Sequence, residues 1–151
     1  MSDLPTIRAA IVAKLAAIPD IGVVHDYERF AVDEKSFRGL YLYGDRIQGW
    51  NVRRVRTQRV SGDDSIIDTR HVWRITGYRA LSDAAASEIE FDAAIEALRA
   101  AFDADLTLGG AVDTIVTPDA DGLQLLISEP VMFAGVLCHQ AVLELHTRIF
   151  G

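Results

Sequence analysis

Cysteine is nearly absent: Cys138 stands alone among 151 residues. A single thiol excludes an internal disulfide and any cysteine-rich zinc site, and it fits a reducing compartment. Long apolar runs are missing too. The longest, Val131 to Cys138 counting Gly135, is eight residues, against the roughly 20 that a membrane-spanning helix needs. No membrane partner is expected. The opening "SDLPTIRAAIVAKLAAIPD" makes a poor secretion signal, because Asp3 sits where positive charge is required and Arg8 and Lys14 break the apolar run. We therefore expect a soluble intracellular protein. With no repeat, low-complexity tract or linker, residues 1–151 read as a single domain around one core.

Chemistry-bearing motifs are equally scarce. Gly109-Gly110 lacks the spacing and the lysine of a phosphate-binding loop and follows a helical segment, so it reads as a helix stop. The run "TPDADG", Thr117 to Gly122, has the Asp-x-Asp-Gly core of a calcium loop. Thr117 occupies the first ligand position, however, and Ser128 stands where a bidentate glutamate is needed. A plain turn held by its Asp side chains is the expectation. Cys138 and His139 are adjacent on a strand-like run and so point to opposite faces. His139 and His146, seven apart, do the same, and nothing in the spacing of His25 or His71 draws them to a common site. Glu88, Asp92 and Glu96 recur at helical spacing and read as a solvated acidic face. No enzymatic activity, cofactor or metal is expected.

What the chain does have is an uneven charge. Its net charge of −7 divides into −2 over residues 1–45, +5 over 46–79 and −10 over 80–151. One basic and one acidic region on the same molecule suit head-to-tail contacts by complementary potential, whereas nucleic-acid binders are more often basic overall.

Periodicity orders the elements. Leu4, Ile7, Ile11, Leu15 and Ile18 form one helical stripe, capped by Asp3 or Ser2 and stopped by Pro19. Val23 to Tyr27 reads as a strand, Phe30 to Arg38 as a loop, and Phe37 to Tyr43 as an aromatic-rich strand. Two long strands, Ile47–Val60 and Arg70–Leu81, are joined by "SGDDSIIDT" into a hairpin. Ser82 to Asp105 is a second helix, with Ile89, Ile95, Leu98 and Phe102 on its stripe and Ser87-x-x-Glu90 as a possible capping box. Strands at Val112–Val116, Leu123–Ile127 and Val136–Ile149 complete the chain. The expected class is α+β, a mainly antiparallel β-sheet with two helices packed on it and a long projecting β-hairpin.

The stretch "WNVRRVRTQRV" (residues 50–60) holds Arg53, Arg54, Arg56 and Arg59. Strict alternation puts Trp50, Val52, Arg54, Arg56, Gln58 and Val60 on one face, and Asn51, Arg53, Val55, Thr57 and Arg59 on the other. At about 3.3 Å per residue this strand reaches roughly 35 Å, about twice the usual length, so its outer part is expected to project into solvent. Arginine pairs with carboxylates and tolerates interface burial. We expect Arg53, Arg54, Arg56, Arg59 and Arg70, with Asp63 and Asp64 at the hairpin tip, to grip a neighbouring subunit or partner.

The run "RHVWRITGYRALSDAAASEIEFDAAIEALRAAF", followed by "LGGAV" and closing with "VMFAGVLCHQAVLELHT", resembles the tail terminator and tail completion (minor tail) proteins of tailed bacteriophages and prophages, the lambda-type terminators among them. That resemblance implies a non-enzymatic virion protein at the tail–neck junction, present in the host cytoplasm during assembly. It implies a homohexameric ring that caps the tail tube protein, stops tube polymerisation and meets a head–tail connector or neck protein. DNA would pass through the lumen without specific binding. The alternatives are a neck or head-completion connector, and a small nucleic-acid-binding accessory protein.

Overall fold

A computed structural model describes residues 3–61 and 66–151. Helix α1 (Leu4–Ala16) begins where the Asp3 carboxylate accepts the Thr6 N–H at 3.0 Å, and its stripe of Ile7, Ile11 and Leu15 is buried. Strand β1 (Val23–His25) is short. The next element corrects the sequence expectation: residues 34–41 are helix α2 (Glu34–Tyr41), in place of a loop and strand. Its N-cap is Asp33, which accepts the Ser36 N–H at 2.8 Å, and Phe37 and Tyr41 lie one turn apart on its buried side. Only Leu42–Tyr43 (β2) is extended, pairing with the start of β3.

Strands β3 (Arg46–Ser61) and β4 (Ile67–Ala80) form the long antiparallel hairpin. After a 3-10 turn at Asp83–Ala85 comes α3 (Ser87–Asp103), then β5 (Leu123–Phe133) and β6 (Val136–Phe150). The strand order is β1-β3-β4-β6-β5, antiparallel throughout except for the β1–β3 pair. The architecture is α+β, a mainly antiparallel sheet carrying helices and a long hairpin. Strand β6 follows β4 as far as the Asp68–Phe150 pair, so the outer part of β4 is held between two strands while that of β3 is bare. Residues 112–116 are not a strand; Thr114 alone bridges to Arg148.

Both sheet faces are covered, unequally. On one face α1 and α3 bury Trp50, Val52, Trp73, Ile75, Leu143 and Leu145 beneath Ile11, Phe91, Ile95 and Phe102. A fully buried aliphatic side chain of this kind contributes about 2–3 kcal/mol. On the other face α2 covers one end, where Phe37 and Tyr41 pack on Ile47, Tyr78 and Cys138. Helix α3 starts differently from the expected capping box. Ala86 takes the N-cap in a left-handed conformation (φ 53°), and Ile89 is 71% exposed, off the buried stripe that Phe91 joins.

Candidate subunit interface

Strand β1 accompanies β3 only from Gly49 to Asn51. Beyond that point Arg8 closes the edge, donating to the carbonyls of Val52 (3.2 Å) and Asp26 (2.6 Å) while its guanidinium lies 5.4 Å from the Trp73 ring centre. From Arg53 to Arg59 every residue of β3 is exposed. A bulge at Val55 alters the faces expected from alternation. Arg54 pairs with Trp73 but Arg56 pairs with Val72, so Arg53 and Arg56 share one face and Arg54, Thr57 and Arg59 the other.

The arginines have different surroundings. Arg53 meets Glu28 at 2.9 Å. Arg54 donates to the Thr57 hydroxyl, which is bonded to His71 Nδ1 at 2.8 Å. Burial and then the Arg54 charge lower the His71 pKa. Among the described residues, Arg54, Arg56 and Arg59 meet no carboxylate. A shallow cavity of about 260 Å³ lies where β1 leaves β3, lined by Arg8, Tyr27, Phe30, Val52, Arg53 and Arg54.

Arg70 is engaged within the chain. It donates to Asp68 at 2.9 Å, and Arg148 reaches the same carboxylate oxygen at 2.7 Å. Burial opposes the Asp68 charge, but the hydrogen bonds and charges of Arg148 and Arg70 outweigh it and hold the carboxyl below its ordinary pKa. Sequence reasoning missed this clamp. Asp68 and Arg70, two apart on one strand, were a visible signal; Arg148, 80 residues away, was not. Asp63 and Asp64 lie outside the described residues.

The opposite edge of the sheet is β5, whose Leu125, Leu126 and Ile127 are exposed around a second bulge. Beside it runs the segment 113–122. Thr117 organises its turn, its hydroxyl accepting the Asp119 and Ala120 N–H groups and donating to the Ala120 carbonyl. Threonine thus does what the Asp side chains were expected to do.

The histidines are dispersed. His139 and His146 lie on opposite faces, as expected, since their partners are Arg79 and Val72. His25 contacts the Leu40 carbonyl, and His146 the Glu144 carboxylate. His139 Nε2 is 2.8 Å from the Ser87 hydroxyl, which also accepts the Ser82 N–H. This serine–histidine pair is buried and ties the start of α3 to β6. Among the described residues no three His, Cys, Asp or Glu side chains converge as metal ligands, and no helix is long and apolar enough to cross a membrane.

No protein-family model matches the sequence, and a comparison with curated proteins finds no match.

Proposed function

We propose that this chain is a structural virion protein that caps a phage tail tube as a closed ring of copies. In that role it stops tube growth and offers a surface for joining the head. The observation that carries the reading is the bare outer stretch of β3, where Arg54, Arg56 and Arg59 are exposed without a carboxylate partner among the described residues. Exposed arginines that meet no carboxylate among the described residues are suited to another subunit's acids. The resemblance to tail terminators supplies the direction.

A ring needs an interface between two different patches whose rotation closes. The two edges of this sheet differ in chemistry, one basic and the other aliphatic and flanked by acids. The test is negative-stain imaging with native mass measurement, with and without tail tubes. Rings, or a cap at one tube end, support the reading; uncapped tubes and a monomer at every concentration refute it.

A second reading rests on Arg53, Arg56 and Arg74, which the register places on one sheet face. Such a row could meet nucleic-acid phosphates. DNA binding that weakens log-linearly with salt would favour it, and no shift of a DNA fragment at low salt would remove it.

A further inference from the structure

We infer that the partner of the arginine edge is the acidic turn of a second copy, with Arg54, Arg56 and Arg59 of one subunit meeting Asp119 and Asp121 of the next. The inference rests on the ring reading and specifies its interface. Its basis is the register of the sheet. One row of paired residues runs Arg54, Trp73, Leu145, Leu123 from edge to edge. A second row runs Gln58, Arg70, Arg148, Thr114. Residues 114–123 therefore leave one edge of the sheet between the same two levels that bracket Arg56 on the other edge. When one copy is set beside another in the same orientation, the acidic turn comes level with Arg54 and Arg56, with Arg59 one residue beyond the second row.

Charge and chemistry agree with this placement. Asp119 and Asp121 are exposed, and among the described residues neither carboxylate forms an ion pair or side-chain hydrogen bond. Asp103 and Asp113, also exposed, add to the same side. Each edge has an aliphatic residue within its charges, Val55 on the basic side and Val116 on the acidic side, at 36% and 37% exposure. The backbone around Ile115 is already occupied, since its N–H bonds to the Leu106 carbonyl and its carbonyl accepts the Gly122 N–H. Contact here is through side chains and does not extend the sheet.

The experiment compares R54E/R56E/R59E, D119R/D121R and an equimolar mixture of the two. Sedimentation or native mass spectrometry reads assembly, alone and on tail tubes, after circular dichroism and thermal midpoints establish that each variant folds. Each variant alone is expected to lose assembly, with association weakened roughly tenfold or more, because like charges then face each other. The mixture is expected to regain it, since the new glutamates of one variant meet the new arginines of the other, and native arginines still meet native aspartates. Loss without rescue in the mixture overturns the pairing. Assembly that survives both reversals overturns it too, while leaving the ring reading intact. Unaltered assembly with DNA binding lost in the arginine variant would assign the edge to nucleic acid instead. If the wild type never assembles, even on tubes, the ring reading itself falls.

Discussion

Trp50 and Gly77 stand opposite each other on β3 and β4, and the indole lies directly on the glycine. A Cβ at position 77 would overlap the ring carbons Cζ3 and Cε3. On the other face Gly49 accommodates the ring of Tyr41 in the same way. The seated indole then stacks on Phe91 of α3 at 5.6 Å between ring centres and donates to the Ile21 carbonyl at 2.8 Å. Glycine weakens a strand interior; here it lets two large rings lie flat where strands cross under helices.

Gly77→Ala should therefore cost about 2–3 kcal/mol, the scale of overpacking a filled core. Urea unfolding followed by tryptophan fluorescence reads this as a lower midpoint with an unchanged slope. A midpoint equal to wild type would show that the indole does not rest on residue 77.

Asp68 should be the most costly charge to remove at the tip end of the sheet. Asp68→Asn leaves Arg70 and Arg148 facing a neutral group in a partly buried site, at about 2–3 kcal/mol. The pH dependence has a definite sign. The folded carboxyl has a lowered pKa, so its stabilisation is complete above the unfolded value near 4 and lost as pH falls through the folded value. The thermal-midpoint gap between wild type and Asp68→Asn should stay constant above about pH 5 and close below about pH 4. A gap that widens in acid would contradict the clamp.

The elements most legible from the residues were those whose burial follows one period. Ile7, Ile11 and Leu15 repeat at four, and each is fully buried. Helix α2 was hidden because "FRGLYLYG" combines aromatics with Gly39, a composition that also suits a strand. The deciding signals were subtler: Asp33 three residues ahead of Ser36, and Phe37 one turn before Tyr41. Val112 to Val116 looked like a strand from its branched residues, yet its one β-bridge to β6 is Thr114 with Arg148, flanked by the hydrogen bonds of Asp113 to Arg148 and Phe150. The arginine cluster was plain in the sequence, but its division between faces was not. One extra residue at Val55 moves Arg56 to the side of Arg53, and only pairing with β4 exposes that shift.

Cys138 should resist thiol reagents in the folded protein. It is fully buried, and burial pushes its thiol up to about 11. At pH 8 roughly a thousandth is then thiolate, against about a quarter for a free cysteine. Labelling with a disulfide reagent should be at least a hundredfold slower than in urea-unfolded chain. Comparable rates in the two states would place the thiol at the surface.

Ser87→Ala should cost about 1–2 kcal/mol, because it strands the buried His139 ring nitrogen and removes the part-buried bond to the Ser82 N–H. Hydrogen exchange at the start of α3 should quicken while exchange in α1 stays unchanged. Equal acceleration in both helices would mean that the loss is global and that this corner is not a local tie.

The bulge at Val55 also bears on how the bare edge can pair. It interrupts the regular outward succession of N–H and C=O groups midway along the bare stretch of β3. A foreign strand laid along that stretch would keep register for only a few residues before its bonds fell out of step. The same irregularity that sorts the arginines thus makes this bare edge a poor template for edge-to-edge pairing.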